Sequence, residues 1–224
     1  MKKLILALAL CAFTFASCGN DDENENGEKG TTSSFDGTIT GTLKLVVGGY
    51  VDGNWAYSMQ GDVTTEADEI HAIMYNNETG HPESLSKAAI TNGQFTLKLS
   101  TPGDKYLESI MEDINDIETV AVSDKSAKVF FPEICAYKDG ERVGYISMFP
   151  ANLTSDTGIS FMYANRDVTV KGTETFDSDG PINTYEYDMN FKKGWNVIVR
   201  REQGNKYIRT TESIPASMFW GMRT

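Results

Sequence analysis

The sequence predicts a mainly β body: an antiparallel β-sandwich-like domain or domains, with one short amphipathic helix near residues 102–115. Three observations favour this class. Apolar and polar residues alternate in many short segments, turn-forming residues separate those segments, and no strand–helix–strand repeat is present from which a parallel sheet could be built. We expect roughly ten to twelve strands with short connections.

The N-terminal 17 residues have the organisation of a bacterial signal peptide. Lys2 and Lys3 precede an apolar stretch at residues 4–16, which is too short to span a bilayer comfortably. Ser17 is a small residue next to the cleavage point, and Cys18 follows it, which is typical of lipoproteins. We therefore expect lipidation of Cys18 and a membrane anchor at the mature N-terminus. A plain secretory signal peptide is the alternative.

Residues 18–34 are polar, acidic and rich in Gly and Asn, and they predict a flexible acidic tether. The acidic run after Cys18 resembles that of surface-exported lipoproteins of the Bacteroidetes. That resemblance implies an outer-membrane, surface-exposed address, with a periplasm-facing anchor as the alternative. Residues 35–224 then form the β-rich body, either as one unit or as two sandwich-like halves that meet near 101–117.

Charge excludes one class of partner. The chain has 20 basic and 32 acidic residues, so loss of Lys2 and Lys3 leaves 18 basic residues and a net charge of −14. Nucleic acid is therefore not an expected partner, because phosphates need a basic surface. From Lys192 onward seven basic residues face two acidic ones, a charge of +5. Attraction between the basic and acidic parts is the simpler interpretation, and a site for an anionic ligand or partner is the alternative.

Strand predictions follow the alternation of apolar residues. Segments 38–47, 55–60, 69–75 and 94–99 are predicted strands, followed by 117–122, 129–137 and 142–149, and then by 159–164 and 167–171. Residues 185–191 carry their aromatic side chains on one face and are predicted to form a hairpin with 195–199. Residues 213–220 are a final strand or an anchor against the core.

The single predicted helix begins at a capping signature. Thr101, Pro102 and Asp104 place a hydroxyl, a proline and an acid at the positions that start helices. Apolar residues then recur at helical spacing from Tyr106 to Ile114. A surface helix that closes one end of a β domain is the expected structure.

Few residues carry recognisable chemistry. His71 and His81 are the only histidines, and we interpret them as an interfacial and a loop histidine rather than as ligands of haem or a metal. Residues 177–180 begin like a calcium loop, but apolar residues follow where oxygen ligands should stand. Cys135 remains unpaired after Cys11 leaves with the signal peptide, and we expect a buried thiol. We predict no cofactor, no metal and no catalytic residue.

Four blocks resemble a group of uncharacterised Bacteroidetes surface and outer-membrane lipoproteins: ITNGQFTLKLSTPGDKYL, VSDKSAKVFFPEICAYKDGERVGYI, FMYANRDVTVKGT and FKKGWNVIV. The similarity covers most of the body and is one of pattern. It implies the envelope address and the β fold, and it implies no activity and no binding residue.

These observations favour a non-enzymatic, surface-tethered module that binds a glycan, a peptide or an envelope protein. Tyr50, Trp55 and Tyr57, near a glycine-rich turn, are the candidate ligand-binding aromatics. Two alternatives stay open: a hydrolase with an unrecognised carboxylate site, and a structural subunit of a surface assembly.

Overall fold

A computed structural model of the chain describes residues 35–51, 54–63, 65–75, 81–113, 119–154, 156–176 and 181–223. Two 3₁₀ turns lie in these ranges, at Asp104–Tyr106 and Ile110–Asp113. The remaining elements are strands: β1 (Thr38–Val51), β2 (Asn54–Asp62), β3 (Glu69–Tyr75), β4 (Pro82–Ala89), β5 (Gln94–Lys98), β6 (Glu108–Ser109), β7 (Val120–Val122), β8 (Lys128–Phe130), β9 (Glu133–Lys138), β10 (Glu141–Pro150), β11 (Thr157–Ala164), β12 (Val168–Phe176), β13 (Asn183–Phe191), β14 (Gly194–Gln203), β15 (Lys206–Thr211) and β16 (Met218–Arg223). The mainly β prediction is confirmed.

The strands form two eight-stranded sheets. The first sheet has the order β2-β1-β16-β10-β9-β3-β4, and β5 pairs with the N-terminal part of β1. The order of the second sheet is β6-β8-β11-β14-β15-β13-β12-β7. Two pairs are parallel, β1 with β16 and β13 with β15. The expectation of antiparallel pairing is wrong for these two pairs, because β15 and β16 each lie between two strands that precede them in the chain.

The predicted hairpin between residues 185–191 and 195–199 is wrong. Only Lys192 and Lys193 separate β13 from β14, yet β15 lies between these two strands in the sheet. The Asn196 side chain holds the corner, because its amide donates to the Lys192 carbonyl at 2.8 Å and its oxygen accepts the Lys192 N–H at 2.9 Å. The apolar faces of the two strands therefore enter different clusters.

The predicted helix near residues 102–115 is also wrong: the segment forms the two 3₁₀ turns with β6 between them. The Tyr106 and Leu107 N–H groups close only a 3₁₀ turn, by donating to the carbonyls three residues earlier. The Ile110 N–H donates to the carbonyl oxygen of Ala127 at 3.1 Å, and β6 pairs with β8, so later hydrogen bonds leave the segment instead of continuing a helix. Tyr106 packs in one apolar cluster and Ile110 in the other. The apolar residues that are spaced as on one helical face thus contribute to two different clusters. Positions 114 and 115 lie outside the described residues.

The first apolar cluster lies between the two sheets. Leu43 and Met222 contribute from the first sheet, and Phe161 and Val199 contribute from the second. A β-bulge between Leu45 and Val46 changes the alternation expected for β1, so that Val46 is buried while Leu45 is half-buried. Burial of this apolar surface between two sheets is the main stabilising contribution expected for a sandwich.

The second apolar cluster lies on the other face of the second sheet. Ile198 of β14 and Val170 of β12 belong to it, although these strands are three positions apart in the sheet order. Met162 of β11 and Phe191 of β13 belong to the same cluster, so it extends across this face of the sheet from β11 to β12. One face of β14 contacts the first cluster and the other contacts the second. This strand is therefore apolar on both faces, in the nearly continuous run from Trp195 to Val199.

Residues Thr31–Thr224 form one compact unit, which contains every strand and both apolar clusters. The chain passes back and forth between the two sheets: β6–β8 join the second sheet, and β9 and β10 then return to the first. In the described ranges, no helix has the length and apolar character that crossing a membrane requires.

Candidate ligand-binding cavity

A cavity of about 490 Å³ opens on the concave side of the second sheet. Strands β11–β15 line one side of it, and residues of β2, β10 and β16 line the other. This volume falls in the range of about 300–1,000 Å³ that holds small molecules and cofactors in proteins. Residues of both sheets therefore enclose a concave site that strand patterns alone did not predict.

The floor of the cavity is apolar. Met162, Val170, Phe191 and Ile198 line it, and each of them is buried in the second apolar cluster. Alternate residues of a strand share one face, so the side chains on one face of β11 and β14 line the cavity. The side chains on the opposite face of these two strands pack in the first cluster. The four floor residues are themselves only 0–6% exposed, so the apolar surface that a ligand would remove from water belongs to other lining residues, such as Phe131, which is 44% exposed.

Three arginines line the same cavity. Arg200 of β14 and Arg209 of β15 are directly opposite each other in the antiparallel register, so their side chains leave the same face. Arg223 of β16 lies on the opposite wall and donates to the Tyr57 hydroxyl at 3.5 Å. The Nε of Arg223 is buried without a hydrogen-bond partner among the described residues. Two like charges in direct register are unfavourable unless an anion compensates them.

Other basic residues of the C-terminal region are neutralised by carboxylates. Lys192 pairs with Asp167 at 3.1 Å, Arg201 pairs with Glu212, and Lys206 pairs with Glu186. No ion pair within 4.0 Å connects the three cavity arginines to a carboxylate of the described residues, and no described carboxylate lines the cavity. Ion pairs with carboxylates therefore neutralise some of the basic residues after Lys192. The three cavity arginines are not part of these ion pairs.

Aromatic rings orient Arg209. Its guanidinium carbon lies 5.6 Å from the centre of the Tyr187 ring and 5.9 Å from that of Tyr185, which is cation–π distance. The Tyr187 hydroxyl donates to the buried carboxylate of Glu174 at 2.6 Å. Burial, followed by the hydrogen bond to Glu174, raises the pKa of Tyr187 above its ordinary value. The ring beneath Arg209 is thus neutral and fixed at physiological pH.

The structure places one of the three candidate aromatics at the cavity. Tyr57 lines it and packs edge-to-face on Phe149, with ring centres 5.4 Å apart. Tyr50 is 77% exposed and does not line the cavity. Trp55 pairs with Tyr50 across β1 and β2, and its side chain lies outside the described residues.

The histidines lie elsewhere. His71 Nε2 is 3.0 Å from a Glu69 carboxylate oxygen, and its ring stacks on Tyr137 with centres 4.1 Å apart. His81 is an exposed residue before β4. No group of three or more metal-ligating side chains occurs in the part of the chain that the structure describes. The calcium-like residues 177–180 and Cys18, the predicted lipidation residue, lie outside it.

Comparison of the chain with protein-family models, with curated proteins and with solved structures found no match.

Proposed function

We propose that this protein is a lipid-anchored, non-enzymatic binding module of the cell envelope that takes a small ligand into the arginine-lined cavity. One observation carries the proposal: a concave apolar floor and three arginines without a described carboxylate partner face the same space. A few convergent polar groups over an apolar surface are the usual composition of a ligand site.

The concave shape favours a small ligand over the glycan, peptide or envelope protein expected from the sequence. Exposed aromatics that recognise an extended partner should form a platform, whereas Tyr57 is half-buried between Phe149 and Arg223 at the cavity wall. The proposed address is the outer membrane, with the body exposed at the surface. The support for this address is Cys18, the acidic tether after it and the resemblance to Bacteroidetes lipoproteins.

The proposal is tested with a neutral apolar dye, N-phenyl-1-naphthylamine, whose emission rises in apolar surroundings. The mature chain from Gly19 onward, prepared without acylation, contains the whole compact unit. We expect saturable binding of one dye per chain. Ser160 lies at the cavity on β11, so Ser160→Trp should abolish saturable binding by filling the space.

Thr173→Trp is the matched control, because Thr173 is an exposed strand residue of the same sheet that does not line the cavity. It should bind the dye as the unmodified chain does. Absence of saturable binding in the unmodified chain, or full binding by Ser160→Trp, would contradict the proposed function.

A further inference from the structure

We infer that the ligand is an amphiphile with one anionic oxyacid head and an apolar body, and that Arg200 and Arg209 bind the head. This inference rests on the proposed function and names the ligand class of the same cavity. The head is a carboxylate or a phosphate ester, because the planar fork of a guanidinium matches the paired oxygens of these groups.

The position of the two arginines defines the head site. Arg200 and Arg209 are paired in register on neighbouring strands, so both guanidinium groups can contact one anion between them. Both line the cavity rather than the opposite face of the sheet, where Arg201 pairs with Glu212. An anion at this point would compensate two charges that the described part of the protein leaves without a carboxylate.

Neighbouring residues hold the two side chains in place. Arg209 lies over the rings of Tyr185 and Tyr187, which restricts its orientation. Arg200 extends over Gly158 of β11, where a Cβ atom would be 3.3 Å from its terminal nitrogen. Arg200 thus leans toward β11 and Arg209 toward β13, on the outer sides of the β14–β15 pair. An anionic head bound between them would draw both guanidinium groups inward, away from these neighbours.

The apolar floor requires a body as well as a head. Met162, Phe191 and Ile198 are more than nine-tenths buried at the base of the cavity, below arginines that are half-buried or exposed. A free inorganic anion would not cover the apolar surface that stays exposed at the cavity, such as that of Phe131. A neutral hydrocarbon would fill the floor and leave the arginines uncompensated. An amphiphile satisfies both parts of the cavity.

The test measures displacement of N-phenyl-1-naphthylamine from the mature chain by four competitors: dodecanoate, dodecyl phosphate, dodecan-1-ol and inorganic phosphate. All are used below their micelle concentrations in low salt. We expect the two anionic amphiphiles to displace the dye at concentrations about tenfold lower than the alcohol. Inorganic phosphate should not displace the dye.

Variants separate the head site from general electrostatics. The double variant Arg200→Gln/Arg209→Gln should lose the tenfold advantage of dodecanoate over dodecan-1-ol, which is measured within the variant as the ratio of the two displacing concentrations. Arg201→Gln is the matched control on the same strand, and it should retain the full advantage.

Three outcomes overturn the inference while leaving the proposed function intact, since the dye still binds in each. They are equal displacement by dodecanoate and dodecan-1-ol, displacement by inorganic phosphate as strong as by dodecyl phosphate, and a loss in Arg201→Gln equal to that of the double variant. Failure of the dye itself to bind overturns the proposed function and the inference together.

Discussion

The hydroxyl of Tyr187 donates a 2.6 Å hydrogen bond to Oε1 of Glu174, whose side chain is only 3% exposed. The same tyrosine ring carries Arg209 on the cavity side. One residue therefore satisfies a buried carboxylate on β12 and orients a cation of the proposed head site. A buried carboxylate is tolerated only where donors compensate its lost hydration, so Glu174 depends on Tyr187 for part of that compensation.

Tyr187→Phe should destabilise the protein by about 1–3 kcal/mol, because it removes a donor from a buried acceptor and leaves the ring volume almost unchanged. Urea unfolding followed by tryptophan fluorescence measures the change. Tyr185→Phe is the control: it modifies the neighbouring ring, which stacks on Tyr207 at 4.9 Å. Equal losses in the two variants would show that the bond to Glu174 has no special role.

The raised pKa of Tyr187 predicts a pH dependence of stability. Burial and the bond to Glu174 keep the folded-state pKa above that of the unfolded chain, so the folded state holds its proton at a pH where the unfolded state loses it. The contribution is fully present below the unfolded-state pKa, about 10, and it is lost as pH rises toward the folded-state pKa. The stability difference between the unmodified chain and Tyr187→Phe should therefore shrink in urea titrations above about pH 10. A constant difference would contradict the shift.

Arg200→Gln should stabilise the ligand-free protein by roughly 0.2–1 kcal/mol, because it removes one of two like charges that are directly opposite in register. Thermal unfolding without ligand measures the gain. Arg209→Gln should gain less, because it also loses the contacts of Arg209 with the rings of Tyr185 and Tyr187. A clear loss of stability in Arg200→Gln would show that the pair is not repulsive in the absence of ligand.

Strands with one buried face could be read from the sequence. β3 has the bounds predicted for it, and Phe95 and Leu97 point inward as their alternation indicated. Asn92 and Gly93 form the turn before β5, and both residues have the positive φ angles, 51° and 75°, that this residue pair favours. Local pattern suffices in these places because one face meets the core and the other meets water.

Local pattern fails where the chain changes sheets. Residues 129–137 are apolar except for Glu133 and were predicted as one strand, but Phe131 and Pro132 separate β8 of the second sheet from β9 of the first. Both sides of the break are buried, so the hydrophobic pattern contains no boundary. Pro132 lacks the N–H that a continuous ladder needs, and it was the one local signal of an interruption.

The cavity depends on a strand that sequence analysis did not predict. All six residues of β15 (Lys206–Thr211) are half-buried, so this segment lacks the contrast between faces that identifies strands. Its insertion between β13 and β14 places Arg209 opposite Arg200. The basic composition after Lys192 indicated an anionic ligand as an alternative, but only this long-range pairing selects which arginines are involved.

A count of thiols tests the burial of Cys135 and the proposed anchor in one experiment. Cys135 is fully buried, and burial raises the pKa of its thiol to about 11, so Ellman's reagent should not label the native envelope-derived protein at pH 8. The proposed anchor predicts one thiol per chain in urea, because Cys11 would leave with the signal peptide and the Cys18 sulfur would be held in a thioether to lipid. Cys135→Ala should then show none. Two thiols per unfolded chain would contradict lipidation at Cys18, and rapid labelling of the native protein would contradict the burial of Cys135.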